Sequence, residues 1–241
     1  PSLTFWQDAR KRLFKNKGAV TGLVILSVIV FFTLFGPLFN KYTYDQQNLR
    51  HAKLPPRIPV LASIGIADGT KMDTKFDGTI EKVNPYEQKN VEDGVNYWFG
   101  TDDLGRDLWT RTWSGARVSL FIAILAAMYD LLIGVTYGGV SAYYGGKVDM
   151  YMQRFIEILS GIPSLVLLTL LILVFEPGVM SISLAMGISG WIGMSRVVRS
   201  HVLRLKGQEF VLAAKTLGAS DSKIIIKHLF PNIIGPVVVM I

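Results

Sequence analysis

The chain has 241 residues, half of them apolar, with charged residues at 18% and a net charge of +7. Soluble domains carry about 25% charged residues, and this apolar excess excludes a disordered chain, a coiled coil or a basic nucleic-acid tail. The absence of cysteine excludes disulfide frameworks, thiolate zinc sites and cysteine nucleophiles.

Arg10, Lys11, Arg12, Lys15 and Lys17 lead into Gly18–Phe39, which is 22 residues without a charge. As a helix this stretch is roughly 33 Å long, enough to cross a hydrocarbon core of about 30 Å. It offers no small-residue cleavage site of the kind a secretory signal carries. The basic cluster places residues 1–17 in the cytoplasm, which puts 40–117 outside. That external segment holds 11 basic and 11 acidic residues, so the excess charge lies on the other side. Within it, Ile58–Ile66 and Thr79–Val83 read as strand-like pieces of a small external lid. Leu108, Trp109, Trp113 and Ala116 read as an amphipathic helix on the outer interface, with tryptophans at headgroup depth.

Residues 118–144 form the second span despite Asp130 near its middle. The aspartate costs about 3 kcal/mol on an insertion scale, while the leucine, isoleucine, valine and phenylalanine side chains return roughly 0.3–0.6 each. Gly134 and Gly138 make a G-x-x-x-G pair suited to close helix packing. Residues 155–175 form a third span, kinked at Pro163. Glu176-Pro177-Gly178 turns into a fourth, 179–195, striped by Gly187, Gly190 and Gly193. Residues 196–231 return to the basic, inner side. Asn232–Ile241 begins a fifth span that reaches only about 15 Å, so the natural chain is expected to continue beyond Ile241, and Pro1 in place of an initiator methionine implies loss at the other end. The expected fold is an all-α polytopic membrane protein with four complete spans, the start of a fifth and an extracellular insertion.

No constellation for catalysis is present: there is no G-x-x-x-x-G-K-[ST], H-E-x-x-H or G-x-S-x-G. His51, His201 and His228 fall on both sides of the membrane, and the Asp102–Asp107 run lacks the spacing of a calcium loop. The chain is therefore expected to be no enzyme and to hold no cofactor or metal; nucleic acid is not an expected partner. Two features remain. Asp130 has two readings, a structural hydrogen bond with a hydroxyl or backbone group, or the lining of a translocation pathway. In the second feature, Phe210, Ala213, Ala214 and Leu217 fall at i, i+3, i+4 and i+7 on a short helix. Glu209 and Lys215 match its dipole, and Gly218 suits a left-handed terminus. Ser220 or Asp221 can cap a second short helix running toward Pro231. This knob either folds back on its own bundle or enters a groove on a partner.

Ala213-Ala214-x-x-x-Gly218, followed after nine residues by His228-x-Phe230-Pro231, resembles the "EAA" loop of bacterial ABC-importer permeases. Leu212 stands for the motif's acid, His228 for its isoleucine and Phe230 for its leucine. Glu209 through Ser220 resembles the peptide-importer branch, which commonly lacks the acid. Phe99-Gly100-Thr101-Asp102-Asp103-Leu104-Gly105-Arg106-Asp107 and Tyr143-Tyr144-Gly145-Gly146-Lys147-Val148-Asp149 are similar to segments of C-type subunits of oligopeptide and dipeptide importers. The resemblance implies a type I ABC-importer permease in a bacterial cell membrane. It would pair with a second permease subunit, two ATPase subunits that bind ATP and Mg, and an extracellular peptide-binding protein. Residues 118–241 would be the permease core, and 207–231 its cytoplasmic coupling loop. Glu209, Phe210, Ala213, Ala214, Leu217, Gly218 and Ala219 would make the ATPase contact. A secondary transporter or channel, and a membrane scaffold, are the competing classes; the first needs coupling-ion residues and internal repeats, and no repeat is visible.

Overall fold

The computed structural model describes residues 5–74 and 78–240. The chain divides into two compact units, residues 1–118 and 119–241, with the boundary inside one long helix.

The first unit begins with α1 (Phe5–Lys15), whose Arg10, Lys11 and Lys15 are exposed. Asn16 breaks the helix and caps the next, its side chain accepting from the Ala19 N–H at 3.2 Å. That helix, α2 (Lys17–Phe35), continues through a 3₁₀ turn (Gly36–Phe39) and is long and apolar enough to span. Its last carbonyls have no intrahelical donor. Arg117 supplies them, Nε to Thr33 at 2.9 Å and the terminal nitrogen to Leu34 at 2.6 Å. The Trp109 indole N–H donates to the Gly36 carbonyl at 2.7 Å.

Residues 40–107 follow as turns and short elements: α3 (Pro59–Ala62), the antiparallel pair β1 (Lys71–Thr74) and β2 (Ile80–Val83), and α4 (Pro85–Gln88). Leu54, Tyr86, Val95 and Tyr97 form their small core. The strand expected at 79–83 is present as β2. Ile58–Ile66 is instead a helical turn and bend, because Pro59 fixes a helical φ at the first turn. Gly105 turns with φ +69°, and a Cβ there would lie 1.8 Å from the Asn48 carbonyl oxygen, so only glycine fits.

Next comes α5 (Leu108–Tyr129). Residues 108–116 are its first turns and not a separate helix. Trp109 is 7% exposed, packed among Phe32, Trp98, Phe99 and Trp113. The reason is local: Asp107 is buried and caps the helix, accepting from the Thr110 N–H and from Asn40 Nδ2, both at 2.7 Å. The helix therefore starts inside the protein.

The second unit continues from α5 through a π-helical stretch (Asp130–Val135) into α6 (Thr136–Tyr144). Then come α7 (Gly146–Ser160), α8 (Ser164–Phe175), α9 (Val179–Ser189), α10 (Ile192–Leu205), α11 (Glu209–Thr216), α12 (Asp221–Ile224), a π-helical turn (Ile225–Leu229) and α13 (Phe230–Met240). α10 lies along α6, and Gly134 and Gly138 permit it: a Cβ at Gly138 would fall 2.2 Å from the Ser195 carbonyl oxygen. The expected glycine stripe on 179–195 is only partly a packing device. Gly187 faces the Tyr129 ring, Gly190 meets its own preceding turn, and Gly193 meets open space.

Among the described residues three helical stretches are long and apolar enough to cross a membrane: Lys17–Phe39, Leu108–Tyr144 and Asp221–Met240. A fourth forms if α7 and α8 are one span, bent by 72° at the expected Pro163. The stretch expected as a fourth span is two helices meeting at Gly190 and Trp191. Residues 221–240 form one helical stretch, so Pro231 does not end a helix as expected. The wider π turn ahead of it displaces the carbonyl its ring would strike, and Asn232 Nδ2 donates to the His228 carbonyl at 2.7 Å.

Removing the Asp107 cap leaves buried donors on Thr110 and Asn40 bare. Asp107→Ala is expected to cost about 1–2 kcal/mol, read as a lowered thermal midpoint in detergent. An unchanged midpoint would refute the capping role. The neighbouring Asp102 makes a second, pH-dependent contribution. Burial pushes its carboxyl up, but the backbone N–H groups of Arg106 and Leu104 and the Arg106 guanidinium outweigh burial and hold it below the usual range. Stability from this carboxylate is present above about pH 3.9, the unfolded value, and is lost as pH falls through the lower folded value. Proteolysis of the 102–106 turn should rise over that acidic window in the wild type and not in Asp102→Asn.

Candidate functional site

The α10–α12 segment is built as a stiff hook. α11 starts after Gln208, whose extended backbone lets its carbonyl accept from the Val211 and Leu212 N–H groups at 3.0 and 3.1 Å. Glu209 in the first turn and Lys215 in the last oppose the helix dipole. The helix ends at Gly218 with φ +79°. Gly218 N–H bonds to the Lys215 carbonyl and Ala219 N–H to the Ala214 carbonyl, both at 3.0 Å, the pair of bonds that closes a helix over a left-handed residue. The expected terminator is in place. Ser220 is the N-cap residue of α12 but its hydroxyl makes no cap bond; Asp221 sits in the first turn.

The hook is anchored from one side only. Val211, 3% exposed, packs into the core of the unit with Ile224 and Val202, and Ala214 and Ala219 pack against it. Phe210 is 41% and Leu217 87% exposed, and Ala213 and Gly218 are exposed beside them. The face expected from the i, i+3, i+4, i+7 spacing is therefore divided: Ala214 turns inward, while Phe210, Ala213 and Leu217 turn out. Val211, the main anchor, lies off that stripe and was not predicted. A branched apolar residue beside a helix start, with an apolar segment to meet it at Ile224, is the signal that could have found it.

Polar tethers fix the hook to the neighbouring α6–α7 turn. The Tyr143 hydroxyl donates to Asp221 Oδ1 at 2.6 Å, and Lys206 Nζ to the Ala142 carbonyl at 2.7 Å. Gly145 and Gly146, with φ +66° and +52°, turn the chain sharply between the helices. One turn later Asp149 receives both arms of the Arg199 guanidinium, at 2.7 and 2.6 Å, a bidentate pair between α7 and α10. Ser141 donates to the same carboxylate and accepts from Gln153 Nε2 at 3.0 Å. These residues form the Tyr143–Asp149 block of the sequence together with partners on α10 and α12.

Asp130 lies elsewhere in the unit, at the opening of the π-helical stretch, 14 residues before Tyr144 or roughly 20 Å of helix. It is half-buried and has no hydrogen bond or ion pair among the described residues. The structure does not bring it to the hook.

Residues 131–241 match the family described as binding-protein-dependent transport system inner membrane component, and residues 4–56 match the N-terminal TM domain of oligopeptide transport permease C. The chain is 41% identical to the oligopeptide transport system permease protein OppC of Bacillus subtilis over 99% of its own length and 66% of that protein. Against the dipeptide transport system permease protein DppC of the same organism, identity is 41% over 99% of the chain and 63% of that protein. Against DppC of Lactococcus lactis, it is 43% over 100% of the chain and 70% of that protein. The chain belongs to the binding-protein-dependent transport inner-membrane family, in its oligopeptide and dipeptide permease C branch. It spans about two thirds of the length of the curated relatives it matches. With its long apolar helices, it is a multi-pass membrane protein.

The left-handed backbone at Gly218 sets the direction of the hook. Gly218→Ala is expected to cost about 1–2 kcal/mol, a drop of a few degrees in the thermal midpoint of the purified protein. An equal midpoint would show that α11 ends without need of glycine.

Proposed function

We propose that this chain is the transmembrane permease subunit of an ATP-driven oligopeptide or dipeptide importer, forming half of the translocation pathway. The observation that carries the reading is the hook: a short helix held rigidly from behind by Val211, Ala214 and Ala219, with Phe210, Ala213 and Leu217 uncovered in front. Exposed aliphatic and aromatic side chains on an ordered, tethered element suit a groove in another protein. Family membership supports an ATPase as the owner of that groove.

In this reading residues 1–17 and 207–231 are cytoplasmic, 40–117 are extracellular, and 118–241 belong to the permease core. A second permease subunit completes the pathway, two ATPase subunits bind ATP and Mg, and an extracellular protein delivers the peptide. The chain itself performs no catalysis. Its role is mechanical. Closure of the ATPases displaces the hook, and the tethers Tyr143–Asp221, Lys206–Ala142 and Asp149–Arg199 carry the displacement into α6, α7 and α10. Glu209 sits at the exposed start of α11, where a basic group of the ATPase would meet it.

Leu217→Asp and Phe210→Asp alter only the uncovered face. In the assembled importer they are expected to lower ATP-dependent peptide uptake by at least about tenfold, the loss of one well-packed contact at a protein interface, while the subunit still inserts. Wild-type uptake by both variants would refute the coupling role. Gradient-driven uptake by the purified chain without ATPase subunits would favour a secondary transporter instead.

A further inference from the structure

The proposed role leaves Asp130 unexplained. A carboxylate in a spanning helix costs about 3 kcal/mol unless it meets a partner or water, and Asp130 lies at least a dozen residues from either end of 118–144. A structural hydrogen bond would satisfy it. Among the described residues, however, its carboxylate has no partner. The hydroxyl of Thr136, one and a half turns on, is committed to the Leu132 and Ile133 carbonyls of its own helix.

The backbone around Asp130 is also irregular, and further irregularities lie near it. Asp130 opens the π-helical stretch. Gly187, near the end of α9, faces the ring of Tyr129, and the Trp191 carbonyl faces Gly134, so the α9–α10 break runs beside that stretch. Ile133 and Tyr137 pack with Trp191 and Ile192 and with Ile156 and Leu159 near the end of α7, where the chain bends by 72° into α8. Three successive segments thus depart from regular α-helix close to one another. Interrupted helices at membrane depth are tolerated where the freed backbone groups are buried in protein or line a polar cavity.

We propose that Asp130 receives the cationic amino terminus of a peptide as it crosses the membrane. An ionised carboxylate is acceptor-only and an ammonium group carries three donors, so the pair is complementary and strong in a low-dielectric site. This assignment rests on the importer reading above and adds to it the group recognised within the membrane.

A lipid-soluble carbodiimide tests it in the complete importer, reconstituted with its binding protein and ATPase subunits. The reagent activates a carboxyl group, and a primary amine held against it displaces the activating group as a urea to leave an amide. With a radiolabelled free-amino peptide present during ATP turnover, label is expected on Asp130, mapped by proteolysis and mass spectrometry. Asp130→Asn should abolish the label. It should also lower uptake by between about 10- and 100-fold, the worth of one hydrogen bond to a charged group, while the subunit still assembles and ATP hydrolysis continues. Asp130→Glu should recover part of the uptake. Asp130→Asn and Asp130→Leu transporting at the wild-type rate would overturn the proposal. So would a cross-link from Asp130 to a lysine of the second permease subunit in place of peptide. A wild-type assembly that imports no peptide at all would instead overturn the importer reading.

Discussion

A helix end enclosed by protein or lipid has no water to fall back on, and that constraint shapes several distinctive contacts in this protein. The unpaired carbonyls at the end of α2 are met by Arg117 and Trp109. Donors at the start of α5 are met by Asp107. Where the helices of the second unit break, they do so against one another: α10 presses on Gly134 and Gly138, and Trp191 fills the joint between α7 and the π-helical stretch. Trp191 and Gly134 are buried where the α9–α10 break meets the π-helical stretch, and a half-covered carboxylate beside them stands out against this background.

At the other end of the second unit the logic reverses. The hook formed by α11 and α12 is polar where it meets the α6–α7 turn and apolar where it meets nothing. Its rigidity comes from short local bonds and a few core contacts within the chain. In the role proposed above, such stiffness is what an element that transmits a push would need. Pre-formation also lowers the entropy lost on docking.

Much of this was legible from residue order. The first span, the kink at Pro163, the turn at Glu176–Gly178, the dipole-matched ends of α11 and the glycine terminator at 218 follow from hydropathy and from backbone rules that act over one or two turns. The failures share a cause: each depends on a partner distant in sequence. Trp109 looked like an interfacial residue because its amphipathic spacing is visible, while Phe32, Trp98 and Phe99, which bury it, are not neighbours on the helix. Pro231 looked like a stop because proline rules assume α-helical geometry, and the preceding π turn relaxes them. Ala214 and Val211 exchanged roles because a short helix has no fixed inner face until Ile224 folds against it. Of the residues expected at the partner contact, Glu209, Phe210, Ala213, Leu217 and Gly218 are uncovered, and Ala214 and Ala219 are partly taken up by the chain's own core.

The clasp at the end of α2 has a consequence for how the protein is made. Arg117 lies 84 residues after the Thr33 carbonyl it satisfies. At elongation rates of roughly 5–20 residues per second, the first membrane helix emerges several seconds before its clasp exists. During that interval its C-terminal end must be tended by water, lipid headgroups or the insertion machinery. Biogenesis therefore has an ordered final step in the first unit, in which a late arginine and tryptophan lock a helix that was threaded long before.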